Sequence, residues 1–253
     1  MNDETLLAVL HDAATAVAEV LAGLGDWGLA GTRDGQYLSD LAADAAAMAV
    51  LEKAGLGVMS EESGRHGGDR DVVVVLDPVD GSTNASRGIP WYATSLCAVD
   101  GDGIRAAVVV NQASGVRFEA SRGGGARRDG DRIQPSGCRS LGEAIIGFSG
   151  YPPTYFGWSQ YRGLGSAALD LCAVAEGVLD GYAVVGGSSL GSWDYLGGML
   201  VCVEAGAVVR ESQDRELVTL SYVDRRTPLA AATPELLIEL GKASAGSVVP
   251  PGV

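Results

Sequence analysis

Residues 72–76 read Val-Val-Val-Val-Leu, and the next eight read Asp77-Pro78-Val79-Asp80-Gly81-Ser82-Thr83-Asn84. Four consecutive β-branched residues and a leucine between polar flanks make a strand buried on both faces, which demands a covering layer on each side. The run stops at two carboxylates three residues apart, so the fold carries acids to the end of a core strand. Pro78 restricts the turn between them, and Gly81 lets the backbone come close to a ligand. Gly-Ser-Thr-Asn then offers N–H groups and hydroxyls at an expected helix start, where an anion such as phosphate is favoured. Carboxylates repel such an anion unless a cation lies between them. Mg2+ suits that place, taking oxygens from a few carboxylates, water and substrate phosphate. Alone, Asp-x-x-Asp reads first as a capped turn, so the other acids decide.

Glu61-Glu62 follows a predicted strand at 56–60, and Trp193-Asp194 opens a predicted helix at 193–204. Asp44 interrupts the apolar helical stretch 41–47, which is costly unless the acid is paired or near solvent. Each has a plainer reading: a helix N-terminal charge for Asp194, a solvated neighbour for Glu62, an exposed helix residue for Asp44.

The chain carries 18 basic against 32 acidic residues, a net charge of −14. This argues against an electrostatic hold on DNA, RNA or anionic lipid and suits a protein that gathers cations. Two histidines, His11 and His66, lie far apart and exclude a His-rich metal cage. Cys97, Cys138, Cys172 and Cys202 have no C-x-x-C spacing, which excludes zinc ribbons and redox pairs. They are expected as buried thiols in a reducing compartment. The opening Met1-Asn2-Asp3-Glu4 lacks the positive charge of a secretory leader, and apolar runs such as 45–51 fall short of a membrane span of roughly 18 residues. The expectation is a cytoplasmic protein that engages neither membrane nor nucleic acid.

Apolar spacing predicts helices at 4–22 and 40–54, the second with Ser39 as N-cap and Gly55 as C-cap. Strands are predicted at 56–60, 72–76, 91–99, 104–112 and 116–120, with a hairpin tip at 128–131. This part is strand-rich and mainly antiparallel. The second part alternates: strands at 143–148, 182–185, 207–210, 217–220 and 229–232, and helices at 165–178, 193–204 and from Pro234 to about residue 242. The aromatic loop 151–161 is read chiefly as a cover for the core. Residues 243–253 read as a loose tail. A boundary near 136–142 divides the chain into parts 1–138 and 139–253.

Ser60-Glu61-Glu62-Ser63, then the Asp77–Asn84 block, then Trp193-Asp194 with Glu204-Ala205-Gly206-Ala207 behind it, resemble the signature blocks of the inositol monophosphatase family. The resemblance spans roughly residues 5–242. It implies an α/β (α+β) fold, a five-layer α/β/α/β/α sandwich of the inositol monophosphatase/fructose-1,6-bisphosphatase type, with the site where the two parts meet. It implies a Mg2+-dependent phosphomonoesterase with two to three ions per site and a small phosphorylated substrate, and by analogy a homodimer. Glu61, Asp77 and the Val79 carbonyl match ligands of a first ion. Asp77 would bridge to a second, completed by Asp80 and Asp194, and a third would lean on Glu61. Ser82 matches a hydroxyl that pairs with the acid matching Asp44 to orient the attacking water, without a phosphoenzyme. Gly81 and Ser82 N–H groups would hold the phosphate.

Gly165, Ser166 and Ala167 match positions on the alcohol side, although Ser166-Ala167-Ala168 is equally a small-residue packing face. The Gly-rich turn Arg122-Gly123-Gly124-Gly125-Ala126 lacks the Gly-Lys-Ser/Thr of a nucleotide cradle. Inositol-hydrolysing members place a Glu shortly before the Trp-Asp block. Here no acid lies between Asp180 and Asp194, which turns the expectation toward another small polyol, sugar or amino-alcohol phosphate. The histidinol-phosphate and fructose-1,6-bisphosphate branches are the alternatives, with nucleotide 3′-phosphatases ranked lower. Arg33 stands where the family often has Lys. The rival from another class is a non-catalytic metal- and phosphate-binding scaffold.

Overall fold

The β-branched run becomes a buried strand and continues further than expected. In the computed structural model, which describes residues 1–33 and 35–245, β3 spans Val73–Asp80 and takes in both motif aspartates. It pairs in parallel with β1 (Gly57–Ser60), which carries the short antiparallel β2 (Gly64–His66), and antiparallel with β4 (Ala93–Asp100). Then follow β5 (Gly103–Asn111), β6 (Arg117–Ser121), β7 (Gly125–Arg128) and β8 (Asp131–Arg132) in an eight-stranded sheet ordered β2-β1-β3-β4-β5-β6-β7-β8. Asp77 faces Ser95 but Asp80 faces Ala93, so Pro78 and Val79 share the place opposite Thr94 as a bulge. A bulge is where an interior strand accepts a proline. The Thr94 hydroxyl donates to the Pro78 carbonyl (2.9 Å), and Gln112 Nε2 donates to Thr94 Oγ1 (2.8 Å) and to the Ala14 carbonyl (3.2 Å).

Strand periodicity sorts the sheet's side chains onto two faces. Val58, Val74, Leu76, Leu96, Ala98 and Val108 pack against α1 (Asp3–Ala22) and α2 (Leu38–Lys53). Helix α1 is long and apolar enough, by length and composition, to cross a membrane. Here it lays Leu6, Leu10, Ala14 and Val17 into the core. Met59, Val73, Val75, Cys97 and Val99 face the other way, onto α4 (Ala167–Ala175) and α5 (Ser192–Ala205). Beneath those helices lies the second sheet, ordered β10-β9-β11-β13-β12: β9 (Ile145–Ser149), β10 (Gln160–Arg162), β11 (Gly181–Val184), β12 (Val208–Glu211) and β13 (Pro228–Ala231). Its outer face packs Ile146, Phe148, Ala183 and Leu229 against Leu236 and Leu240 of α6 (Pro234–Ala245). A short α3 (Ser82–Arg87) follows β3. Five layers result, α/β/α/β/α, and the middle core is continuous from one sheet to the other.

Three local expectations change. Helix α2 starts at Leu38 with Tyr37 as its N-cap, because the Tyr37 N–H donates to Asp40 Oδ2 (2.9 Å); Ser39 lies inside the helix. Residues 217–220 form no strand. The Leu217 carbonyl is taken by the Tyr195 hydroxyl (2.5 Å), and Thr219 Oγ1 donates to Asp224 Oδ2 (2.9 Å). The expected tail begins as the last turn of α6, and 246–253 lie outside the described residues. In the 151–161 loop, Phe156 and Trp158 pack edge-on against Phe148, whereas Tyr151 is 81% exposed. All four cysteines are free; three are buried and Cys138 is half-buried.

Candidate active site

Four acids converge where the first sheet meets the central helices. Glu61 follows β1, and its N–H donates to the Leu76 carbonyl (3.0 Å), which sets it beside the end of β3. Asp77 and Asp80 come from β3, and Asp194 from the first turn of α5. One ligand oxygen from each of Glu61, Asp77 and Asp194 lies within 4.8 Å of the others. In each aspartate the protein holds one oxygen. Asp77 Oδ1 accepts from the Val79 N–H (3.0 Å), and Asp194 Oδ2 from the Gly191 N–H (2.7 Å). Asp80 Oδ2 accepts from the Ser166 hydroxyl (2.6 Å) and the Ala168 N–H (2.8 Å). The second oxygen of each remains available to a cation.

Burial and crowding push these acids toward their neutral forms. Glu61 rises to about 7, chiefly through burial and then through repulsion from Glu62 and Asp80. Asp80 rises to about 6 through burial, against the bonds from Ser166 and Ala168. Asp77 and Asp194 are raised well above the usual carboxylate range, by burial first and then by the neighbouring carboxylates. Arg33 pairs with Glu62 (2.9 Å) and only partly offsets the rise of Glu61, whose carbonyl it also reaches (3.3 Å). Among the described residues no cationic side chain forms an ion pair with Glu61, Asp77, Asp80 or Asp194; Arg33 and Arg225 at the rim only moderate the repulsion, and crowded oxygen donors of this kind fit a hard divalent cation.

The cavity above these acids, about 310 Å3, is lined by Asp40, Glu61, Val79, Ser82, Tyr222 and Arg225 among others. Asp44 is not in it. Its Oδ1 accepts from the Ser60 hydroxyl (2.5 Å), whose oxygen accepts from the Glu62 N–H (3.1 Å), so Asp44 braces the Glu61-Glu62 turn from behind. The expected pairing of Asp44 with Ser82 is therefore corrected: the α2 acid that lines the cavity with Ser82 is Asp40, one helical turn earlier. Burial raises Asp40 to about 6. Both acids lie on one face of α2, and the sequence does not say which end of that helix opens on the cavity.

Gly81 has φ 91°, and a Cβ there would fall 2.9 Å from the Gly165 carbonyl and 3.1 Å from that of Trp91. Asn84 Nδ2 donates to the Trp91 and Leu164 carbonyls (2.8 and 2.7 Å). The turn after β3 and the segment before α4 are thus locked together. Gly165 is exposed, whereas Ser166 and Ala167 are buried, and the Ser166 hydroxyl expected on the alcohol side is committed to Asp80. Glu204, behind the Trp193-Asp194 block, accepts from the Gly123 and Gly125 N–H groups (2.8 and 2.9 Å), tying the Gly-rich hairpin to α5.

Sequence reasoning missed the rim. Tyr222 donates its hydroxyl to the Glu61 carbonyl (2.6 Å), and its ring lies 5.0 Å from that of Trp193. The Arg225 guanidinium stands 5.0 Å above the Trp193 ring. Aromatic and basic residues at the end of a supposed strand gave no period to read; only the turn-like Ser221–Arg226 composition pointed to a loop.

Fold and site together define a class: layered α/β proteins with a carboxylate cluster between two sheets that could hold a metal ion. The model of the inositol monophosphatase family matches residues 3–244, and the chain belongs to that family, whose members are metal-dependent phosphatases. It is 32% identical over 256 aligned positions to the fructose-1,6-bisphosphatase/inositol-1-monophosphatase of Archaeoglobus fulgidus, covering 96% of this chain and 100% of that one. It is 37% identical over 169 positions to the Nus factor SuhB of Salmonella typhimurium, covering 61% of this chain and 62% of that one. The solved extragenic suppressor protein SuhB of Bartonella henselae superposes with a TM-score of 0.81 at 28% identity, over 94% of this chain and 98% of that one.

Proposed function

We propose that this chain is a Mg2+-dependent phosphomonoesterase acting on a small phosphorylated polyol, sugar or amino alcohol. The convergence of Glu61, Asp77 and Asp194, with Asp80 beside them, carries the reading. Family membership supports the phosphatase chemistry. Glu61, Asp77 and the Val79 carbonyl would hold one ion, and Asp77, Asp80 and Asp194 a second, within the family's two to three. Bound there, Mg2+ neutralises charge on the phosphate oxygens and lowers the pKa of water.

The chain's own groups do the rest. Ser166 and the Ala168 N–H fix Asp80. Asp40, raised to about 6, is suited to take a proton from water near neutral pH, with the Ser82 hydroxyl in the same cavity to orient that water. Gly81 and Ser82 present N–H groups to the phosphate. Neither histidine lines the cavity: His11 is bonded to Glu119 (2.6 Å) and His66 to the Ser63 carbonyl (3.0 Å). A water nucleophile fits this arrangement better than a histidine-activated side chain.

Phosphate release with and without Mg2+ tests the reading across inositol 1-phosphate, histidinol phosphate, fructose 1,6-bisphosphate, sugar phosphates and adenosine 3′,5′-bisphosphate. Mg2+-dependent release is expected from at least one ester, with Asp77→Asn lowering it about 100-fold or more. Full Mg2+-dependent turnover by a folded Asp77→Asn protein would sink the assignment. Silence across the panel with Mg2+ binding intact would favour the scaffold.

A further inference from the structure

A second cavity of about 440 Å3 adjoins the site, and Arg225 lines both. Its lining contains two guanidiniums, Arg215 and Arg225, and no carboxylate among the described residues. That is unexpected in a chain with 32 acids against 18 bases. The wall is built from the stretch that lacks the acid expected before Trp193. Val184 and Val185 supply an apolar side, and Ser188, Ser189 and Ser212 supply hydroxyls. The loop is fixed in place: Gly186 and Gly187 have φ of 66° and 78°, and a Cβ on Gly186 would fall 2.2 Å from the Tyr151 carbonyl. Arg33 is paired with Glu62 and Arg215 with Glu211. Arg225 makes no hydrogen bond or ion pair to a carboxylate among the described residues, although its charge opposes the rise of Asp194. It is held in place by stacking on Trp193 and by donating from Nη1 to the Tyr222 and Asp224 carbonyls (3.0 and 2.9 Å).

We propose that this second cavity receives the alcohol portion of the substrate, and that Arg225 is the specificity residue that reads a negative charge on it. The inference rests on the phosphomonoesterase reading above. Neutral polyol hydroxyls are best gripped by strong acceptors such as carboxylates, and no carboxylate lines the cavity among the described residues. A held guanidinium with uncommitted N–H groups matches a phosphate or carboxylate. The substrate class is then a phosphomonoester whose alcohol carries a second anionic group.

Matched pairs separate the two anions: fructose 1,6-bisphosphate against fructose 1-phosphate, and 3-phosphoglycerate against glycerol 3-phosphate. The readout is the ratio of kcat/KM within each pair at saturating Mg2+. The same pairs are compared by calorimetric binding to the protein with Ca2+ in place of Mg2+. Wild type is expected to favour the doubly charged member of at least one pair about 10- to 100-fold. Arg225→Met should bring that ratio toward one, and Arg225→Lys should restore part of it. Equal ratios in wild type, or a preference that survives Arg225→Met, overturn the proposal. Arg225-dependent binding preference without phosphate release from any ester would support the cavity and overturn the phosphatase reading instead.

Discussion

Asp40 and Asp44 sit one turn apart on the same helix, and the fold gives them opposite employments. Asp40 opens on the cavity beside Ser82, and Asp44 turns inward to Ser60. Asp40→Asn is therefore expected to lower kcat about 100-fold or more with little change in melting temperature, as removal of a general base does. Asp44→Ala should leave the Ser60 hydroxyl unsatisfied and cost about 1–3 kcal/mol of stability, with a smaller effect on kcat. Steady-state kinetics and thermal melts on the two variants check this, and the reverse pattern would restore Asp44 to the role expected from sequence. Glu61, Asp77, Asp80 and Asp194 were legible as a group only through the resemblance to the family's signature blocks, since each alone had a plainer reading. The choice between Asp40 and Asp44 was not, because a helical period specifies a face and not a depth along it.

Among the elements, those with strong period and length were legible: α1, β3, β4, β5 and α5 lie within a few residues of expectation. Residues 217–220 were misread because a short apolar run with Val and Thr in it specifies extended backbone, not a partner strand; here the Tyr195 hydroxyl takes the Leu217 carbonyl, and the Thr219 hydroxyl is tied to Asp224. The bulge in β3 was invisible for a related reason, since Thr94 and Gln112, which hold it, come from β4 and from just past β5. Two elements can be tested directly. Gly81→Ala would force a side chain into left-handed backbone against the Gly165 carbonyl. A loss of about 2 kcal/mol or more and a matching fall in activity are expected. Glu204→Ala removes two charge-assisted bonds to the β6–β7 turn, so melts should show a loss of about 2–4 kcal/mol while kcat of the folded enzyme is largely kept. An unchanged melt would show the hairpin to be held by other contacts.

At the scale of the whole molecule, the two-sheet arrangement concentrates raised carboxyls at one seam. Glu61 at about 7, Asp80 and Asp40 at about 6, and Asp77 and Asp194, both raised well above the usual carboxylate range, all bind protons more tightly folded than unfolded. Their contribution to stability is full below the unfolded value of about 4 and is lost as pH climbs through 6 and 7. Metal-free protein should thus melt lower at pH 8 than at pH 5, by on the order of 5–10 °C. Millimolar Mg2+ should flatten or reverse that slope by binding the ionised form. A metal-free melting curve that rises with pH over this range would contradict the raised values. The five layers were legible from sequence through the family blocks and the doubly buried strand. The seam's electrostatic load was not, because it depends on distances between residues more than a hundred positions apart.

The Tyr222 hydroxyl on the Glu61 carbonyl gives that seam a further consequence. A residue from late in the chain latches the backbone of an early acid, across the same line where like charges push apart. Under the proposed reading, ion supply would then govern how long a molecule survives. Starved of divalent ions, only the latch and a few neighbouring bonds and charges, such as those of Arg33, oppose the repulsion, and the chain becomes a better protease substrate. With ions plentiful, working enzyme and durable enzyme are the same population.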